Sequence, residues 1–321
     1  MEEKVKHSFL CIGFAKCGTT TLHEVFKNHK DIYLPAIKET YLYFPKGYDW
    51  YLKRYYDKKI DKKFVGEFNP TYTMAVNTHT TDEIAKRIYD DFGKDIKIIM
   101  MLRNPVNKLY SWYKYGLSYG WIYEKPKDNI VLNISEGFKE HVKNRFLYDQ
   151  NLENVTLNLG KNPRTHYELE GEYSKFIDSF LKYFPKENIK FIIFEEFAKN
   201  QEKTCKEILE FIGAEEDNNV DYMIRANEGN RAPKSSFSIV CMKAWKKLRH
   251  YYYKYIPFIS YEFSAGVMNM GEKIEKALTK PLEDKSKMDD DTRKILENFY
   301  RKDKEAVEKV TGKDLSEIWF N

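Results

Sequence analysis

The sequence predicts an α/β fold, a P-loop-like parallel sheet flanked by helices within a single domain. Three observations predict it: short apolar runs recur along the chain, they alternate with segments of helical periodicity, and the first run ends in a glycine-containing turn that leads into a helix. Buried runs that alternate with helices are typical of parallel sheets. The 321 residues exceed the usual size of one domain, but α/β folds reach this length as one unit, so we expect one domain over 1–321.

Four apolar runs are predicted to be the strands of this sheet. Each is short and bounded by charged or turn-forming residues. The clearest is DIKIIMML, which has the continuous apolar character of a strand covered on both faces. In chain order, the predicted strands cover residues 8–14, 62–67, 95–102 and 188–194.

Helices are predicted where apolar residues recur at helical spacing. In the first helix, residues 19–28, Leu22, Val25 and Phe26 share one face. Asn104 is suited to cap the helix that begins at Pro105, since Asn is a preferred N-cap and Pro fits the first helical position. Further helices are predicted over residues 81–92, 105–115, 173–184, 204–212 and 289–310, the last as one long helix.

Residues 120–171 interrupt this pattern. Their periodicity is weak, and glycines and prolines break it. We interpret this stretch as an insertion or lid within the single domain.

Composition narrows the classes of ligand. The net charge of +5 at pH 7 is too small an excess to predict nucleic-acid binding from overall charge. The four cysteines form no CxxC pair and no His cluster has metal-ligand spacing, so no metal site is predicted and the thiols are expected to be reduced. With no apolar leader before the first strand and no run long enough to span a bilayer, we expect a cytoplasmic location.

The turn after the first strand, GFAKCGTTTL, predicts an anion-binding loop. Backbone N–H groups converge at such a strand-to-helix turn, and the helix dipole favours negative charge there. Lys16 adds a charge and Gly18 allows close approach. The order differs from a Walker A loop, in which lysine directly follows the second glycine. The predicted binding residues are Lys16, Cys17, Gly18, Thr19, Thr20 and Thr21.

A second anion anchor is predicted where DIKIIMML ends, at Arg103. Arginine offers a planar fork to phosphate, and Ser111 adds a hydroxyl donor. Asn104 and Ser111 lie about two helical turns apart on one face, and an extended Arg103 side chain covers much of that distance. Both side chains are therefore predicted to reach one phosphate; the alternative is a helix-capping arginine beside an incidental serine.

The two anchors together resemble the sulfotransferases that use 3′-phosphoadenosine-5′-phosphosulfate (PAPS), and above all the heparan-type carbohydrate sulfotransferases and their bacterial relatives. The resemblance implies that Lys16 contacts the 5′-phosphosulfate and that Arg103 and Ser111 hold the 3′-phosphate, with PAPS as co-substrate and 3′-phosphoadenosine-5′-phosphate (PAP) as product. No metal is expected, because lysine, arginine and the helix terminus supply the positive charge.

The acceptor side of the resemblance lies in LPAIKETYLYF and GEFNPTY. The heparan-type enzymes carry Lys-Glu followed by aromatic residues, and the resemblance implies that Glu39 is the general base that takes the acceptor's proton. A surface salt bridge with Lys38 is the alternative for Glu39. Lys38, Glu67 and Tyr72 are predicted to face the acceptor, although Phe68 stands where those enzymes often have lysine.

The later part of the chain completes the resemblance. Tyr173 is predicted to lie near the nucleotide, with packing as the alternative, and Arg231 to belong to the loop that closes over the 3′-phosphate. The interval 120–171 would lie on the acceptor side. The acceptor is expected to be a glycan or glycolipid, by analogy. Residues 244–258 are basic and aromatic, which suits a membrane surface, a polyanionic acceptor or a solvated helix face.

Two other functions are alternatives for this sequence. A P-loop nucleotide kinase or NTPase needs a Walker lysine and a magnesium-binding carboxylate after a buried strand, whereas DIKIIMML ends in Arg103. A carbohydrate-binding relative without catalysis would require that Glu39 or Lys16 be misplaced.

Overall fold

The computed structural model describes residues 6–35, 38, 60–74, 79–118, 134–158, 167–224, 226, 231–255, 261–281 and 287–320. Within these ranges the architecture is a parallel β-sheet with helices packed against it. Both faces of the central strands are covered, because every residue of the first strand is buried. The predicted α/β class is confirmed.

The main sheet has five parallel strands in the order β2-β3-β1-β4-β7. All of its carboxyl ends therefore lie at one edge. The strands are β1 (Phe9–Gly13), β2 (Ile32–Tyr33), β3 (Phe64–Phe68), β4 (Lys97–Leu102) and β7 (Ile189–Ile193). The four predicted strands are present, with ends that differ from the predicted ones by no more than two residues. β2 was not predicted because two residues give no periodic signal.

The helices are α1 (Thr19–Phe26), α2 (Thr71–Met74), α3 (Thr81–Phe92), α4 (Pro105–Ser118), α5 (Ile134–Arg145), α6 (Tyr173–Leu181), α7 (Phe194–Lys199), α8 (Gln201–Ile212), α9 (Ser236–Tyr255), α10 (Tyr261–Leu278), α11 (Asp290–Phe299) and α12 (Arg301–Thr311). Two antiparallel ribbons accompany them, β5 (Phe146–Tyr148) with β6 (Val155–Leu157), and β8 (Arg231–Pro233) with β9 (Thr279–Pro281).

The single long helix predicted over residues 289–310 is wrong, because the chain forms α11 and α12 with Tyr300 between them. Tyr300 leaves helical geometry at φ −91° and ψ 11°. Its ring is fully buried against Gly171, and its hydroxyl donates to the carbonyl of Glu168 at 2.9 Å. Packing of this one large side chain sets the bend, and helical periodicity in the sequence does not report it.

The stretch with weak periodicity contains regular structure. α5 buries Ile134, Phe138 and Val142 at four-residue spacing, and it leads into the β5–β6 ribbon. A 3₁₀ helix, Tyr167–Gly171, follows and packs against α4. The buried side chains of α5, together with Phe146 of β5, belong to a second hydrophobic cluster beside the main core. A role for 120–171 on the acceptor side stays a prediction.

None of the helices in the described ranges has the length and apolar character that a bilayer-spanning segment requires. The four cysteines are free thiols, three of them buried.

Candidate active site

The candidate site lies at the carboxyl edge of the parallel sheet, where crevices in open α/β sheets bind ligands. The predicted anion-binding loop GFAKCGTTTL, called the phosphate loop below, begins at the end of β1. Glu67 lies near the end of β3, Arg103 follows β4 and Phe194 follows β7. Residues far apart in the sequence are thus placed on adjacent strand ends.

The phosphate loop has the backbone geometry that its sequence predicts. Lys16 has a φ of 65° and Gly18 a φ of 88°, so two residues in the left-handed region turn the chain sharply into α1. Gly18 is the N-cap of α1 and contributes no side-chain cap. The first N–H groups of a helix lack intrahelical partners, and here they are directed to the loop, as an anion site requires.

Gly18 is also fixed by packing. A Cβ added at this residue would lie 2.9 Å from Cδ2 of Phe194. Both the positive φ and this contact disfavour a side chain, so the conformation of the loop depends on glycine here.

Arg103 joins the second anchor to the loop. Its Nη1 donates to the carbonyl oxygen of Lys16 at 3.0 Å, and its guanidinium carbon lies 4.6 Å from the centroid of the Phe194 ring. The Nε of Arg103 is buried and has no hydrogen-bond partner in the part of the chain that the structure describes. A buried charged donor of this kind calls for an anionic partner. Ser111 is half-buried on α4, the helix that Arg103 precedes.

The Lys16 side chain lies toward α4, where its Nζ is 4.3 Å from the centroid of the Tyr115 ring. The Cys17 side chain is directed inward and fully buried, and burial raises the pKa of its thiol to about 12. Cys17 therefore serves the loop through its backbone and is not a nucleophile at neutral pH.

Tyr173 lies behind Arg103. Its fully buried hydroxyl donates to the Arg103 carbonyl at 2.8 Å and lies 3.4 Å from the Arg103 backbone nitrogen, which donates to it. Burial raises the pKa of this phenol well above its ordinary value. The structure thus places Tyr173 as a support for the arginine turn.

The lysine beside the predicted base reaches the phosphate loop. Nζ of Lys38 donates to the hydroxyl of Thr20 at 3.0 Å and lies 3.5 Å from that of Thr19. Glu39 follows Lys38 directly in the sequence but lies outside the described residues. Of residues 36–59, the structure therefore describes Lys38 alone, and it ties Lys38 to the loop.

Glu67 and Tyr72 form a buried network near the end of β3. Oε2 of Glu67 accepts from the Tyr72 hydroxyl and Oε1 from the Asn69 amide, both at 2.8 Å. Only 3% of Glu67 and 1% of Tyr72 is exposed. Phe68 between them packs edge-on against Phe9 in the core, so the position of the family lysine contributes no charge to the site.

Comparison with known proteins decides the family. Residues 6–228 match the model of the sulfotransferase domain. The chain belongs to the sulfotransferase family. Membership, together with Arg103 at the end of β4, argues against the nucleotide kinase or NTPase.

Several curated sulfotransferases resemble this one. The membrane-associated sulfotransferase kil1 of Dictyostelium discoideum is 31% identical over 117 residues, 35% of this chain and 23% of that protein. Mouse carbohydrate sulfotransferase 15 is 24% identical over 64% of this chain and 43% of its own length. The human bifunctional heparan sulfate N-deacetylase/N-sulfotransferase 2 is 23% identical over 64% of this chain and 22% of its own. The chain spans less than half the length of these relatives.

Solved structures agree on the fold. A sulfotransferase from Alicyclobacillus acidocaldarius superposes with a TM-score of 0.50 at 20% identity, covering 85% of this chain and 96% of that one.

Two residues of this sulfotransferase were missed from sequence. The Asn104 backbone N–H donates to Oε1 of Glu195 at 3.0 Å, and Nε1 of Trp319 donates to Oε2 of the same carboxylate at 3.1 Å. The Asn104 amide donates in turn to the Trp319 carbonyl, while its Oδ1 caps α4 by accepting from the Val106 N–H at 3.0 Å. Glu195 was detectable, since it follows a buried strand at the same sheet edge. Trp319 was not, because both of its partners lie more than 100 residues away in the chain.

Ala226 lies beside the phosphate loop. The Thr21 hydroxyl and the backbone of Ala226 exchange two 3.3 Å hydrogen bonds. β8, which begins at Arg231, packs against α4. β8 is thus held against the helix that carries Ser111, and closure of the late loop with Arg231 over the 3′-phosphate stays a prediction.

A buried ion pair lies deeper in α4. Nζ of Lys108 is 3.2 Å from Oε2 of Glu170, and Nε1 of Trp112 donates to that oxygen at 3.0 Å. Burial raises the pKa of Glu170, and the charge of Lys108 opposes that rise. The hydrophobic pattern of 120–171 could not predict a carboxylate in the core.

Among the described residues, no group of three or more His, Cys, Asp or Glu side chains is arranged to hold a metal ion.

Proposed function

We propose that this sulfotransferase transfers the sulfuryl group of PAPS to a hydroxyl or amine of an acceptor. The observation that carries the proposal is the bond from Nη1 of Arg103 to the carbonyl of Lys16. It joins two anion-binding elements of one sheet edge, and PAPS presents two anionic ends, a 5′-phosphosulfate and a 3′-phosphate.

The loop residues Lys16 to Thr21 would hold the 5′ end, because the loop N–H groups and the α1 dipole are directed there. Arg103 and Ser111 would hold the 3′-phosphate. The buried, unpartnered Nε of Arg103 supports this assignment, since a phosphate oxygen would satisfy it. Arg231 would approach the same phosphate from the late loop.

The transfer is an in-line displacement in this proposal. The acceptor oxygen or nitrogen forms a bond to sulfur as the bond from sulfur to the 5′-phosphate oxygen breaks, and PAP leaves. Glu39 takes the acceptor proton as its general base. Lys16 and the loop N–H groups stabilise the charge that develops on the leaving phosphate.

Lys38 is assigned to the sulfuryl oxygens. It contacts Thr20 of the phosphate loop, whereas Phe68 at the position of the family lysine is buried in the core. A lysine beside Glu39 in sequence and beside the loop in space is suited to neutralise the group that moves between them.

The acceptor is proposed to be a glycan or glycolipid. The aromatic residues that follow Glu39, Tyr41, Tyr43 and Phe44, are of the kind that packs against sugar faces. Two of the similar proteins are named for carbohydrate or heparan sulfate sulfation, which supports the same class.

Nucleotide binding tests the proposal most directly. PAP should raise the melting temperature by mass action, and the shift should persist in EDTA. A shift seen only with ATP and Mg²⁺ would refute PAPS use. Labelled PAPS with a panel of glycans, glycolipids, phenols and steroids then identifies the acceptor class, and transfer to phenols or steroids alone would refute the glycan assignment.

A further inference from the structure

Helix α9 exposes an apolar stripe on a basic helix. It lies beyond residues 6–228, the part that matches the family model. Phe237 is 72% exposed, Val240 and Leu248 are each 62% exposed, and Tyr251 is 51% exposed. Large side chains at this level of exposure, repeated along one helix, mark an interaction surface.

These side chains lie on one face. At 3.6 residues per turn, positions 237, 240, 244, 248 and 251 fall within an arc of about 80°. Ala244, the fifth of them, is also exposed. The opposite face is directed inward, where Ser238 and Met242 are buried. The stripe is therefore a separate outer face of α9 and not the margin of the core.

The charge of α9 is of one sign. Residues 236–255 contain five Lys or Arg and no Asp or Glu. Lys243 and Lys247 are exposed and border the apolar stripe on one side. A helix with an apolar outer face and a basic border fits an interface that is apolar inside and negatively charged at its surface.

We propose that α9 docks this protein onto the surface of an anionic lipid bilayer. Phe237, Val240, Leu248 and Tyr251 enter the boundary between headgroups and acyl chains, and Lys243 and Lys247 contact the anionic headgroups. Helix α9 lies along the surface and does not cross the bilayer.

Two other occupants fit less well. A soluble polyanion such as a sulfated glycan would pair with the lysines but leave the apolar stripe in water. A second copy of this chain would cover the stripe but would bring two helices with five cationic residues each together, and like charges in contact oppose association.

Docking would also place the active site near the membrane. β8 packs against both α9 and α4, and α4 carries Ser111. If the proposed transfer is correct, an acceptor held in the bilayer would lie on the side where α9 binds. This consequence rests on the proposed function, whereas lipid binding by α9 does not.

Vesicle co-sedimentation tests the docking. The full chain should bind vesicles of phosphatidylcholine with about 30% phosphatidylserine at least tenfold more strongly than vesicles of phosphatidylcholine alone, and about 0.5 M NaCl should weaken that binding. The double variant Phe237→Ser/Leu248→Ser and the charge reversal Lys243→Glu/Lys247→Glu should each reduce binding by roughly tenfold or more.

The matched control is Leu147→Ser/Met223→Ser, which removes two apolar side chains of similar exposure, 57% and 54%, from other surfaces. It should bind vesicles like the wild type. Failure of the wild type to bind anionic vesicles, or equal losses in the control, would overturn the proposal. The proposal would also be overturned if light scattering showed a wild-type dimer that dissociates in the variant Phe237→Ser/Leu248→Ser, and the wild type bound no vesicles. The PAP melting shift, measured in parallel, reports on the proposed transfer separately.

Discussion

The guanidinium of Arg103 lies 4.6 Å from the centroid of the Phe194 ring, and these residues follow two neighbouring strands of the sheet, β4 and β7. This cation–π contact and the bond to the Lys16 carbonyl together hold the guanidinium beside the loop. Arg103 is therefore a brace for the loop as well as the proposed phosphate anchor, so its substitution should affect the two ends of the nucleotide unequally.

Arg103→Ala should weaken PAP binding by about 2 kcal/mol more than it weakens binding of adenosine-5′-phosphosulfate, which lacks the 3′-phosphate. Calorimetry with both ligands measures the difference. Arg103→Lys, the control, keeps the charge but loses the planar fork and should fall between wild type and Ala. Equal losses for both ligands would mean that Arg103 serves the loop alone.

Gly18→Ala should weaken PAP binding by tenfold or more, an effect of about 1.4 kcal/mol. Gly18 has a positive φ, and a Cβ added there would contact the Phe194 ring. Gly312→Ala is the matched control, because Gly312 is in the same left-handed region, with φ 69° and ψ 17°, but has nothing within 4 Å of an added Cβ. It should lower the free energy of unfolding by about 1 kcal/mol and leave PAP affinity unchanged. Similar PAP affinities for the two variants would contradict the account of the loop.

Trp319→Phe should weaken PAP binding by about 1 kcal/mol, because it removes the N–H donor to Glu195 and loosens the turn that carries Arg103. The affinity for adenosine-5′-phosphosulfate should change less. Glu195→Gln keeps an acceptor for the Asn104 N–H and should be milder. A loss of thermal stability without any preference between the two ligands would show that Trp319 only packs.

Glu39→Gln should lower kcat by roughly 10²–10⁴-fold, the usual effect of removing a general base, with PAP affinity near that of the wild type. The glutamine keeps the size of the side chain but cannot take the proton. Lys16→Ala is the contrasting variant, since it should damage both turnover and binding of the phosphosulfate end. Turnover near the wild-type level in Glu39→Gln, on a good acceptor, would transfer the role of base to another residue, with Glu67 and His79 the next candidates.

Asp303 should make stability depend on pH. Burial raises the pKa of this carboxyl from its ordinary value of 3.8 to about 6, although the N–H and hydroxyl of Ser174 donate to it. The folded state therefore holds a proton that the unfolded state releases, so stability falls as pH rises from about 4 to 6. Asp303→Asn should remove this dependence, which amounts to about 3 kcal/mol for a shift of about two pKa units. Denaturation at several pH values measures it.

If the free energy of unfolding depends on pH in the same way in the wild type and in Asp303→Asn, this titration is excluded.

The candidate anion-binding residues could be named from the sequence because their chemistry lies in short segments. Gly18 and Lys16 fall within one strand-to-helix turn, and Arg103 directly ends the most apolar run of the chain. Helix α3 was predicted with its observed bounds, and in the structure the Thr80–Glu83 capping box fixes its start.

Residues brought together from distant segments could not be predicted in the same way. Glu195 and Trp319 are 124 positions apart in the chain, and their hydrogen bond exists only because α12 returns the C-terminal segment to the end of β4. Glu170 is a carboxylate in the core, which the rule that charges lie outside would place in water.

The sequence by itself determined the parallel α/β class and the strand-to-helix turn of the phosphate loop, and it predicted the pair of anion anchors, since these depend on periodicity and on backbone geometry within a few residues. Only the tertiary structure decided that Arg103 braces the loop, that Tyr173 supports it from behind, that Tyr300 divides the last helix and that α9 presents its apolar stripe outward. These depend on which surfaces meet across the fold, and contact between distant segments follows from the packing of the whole chain and not from any local pattern.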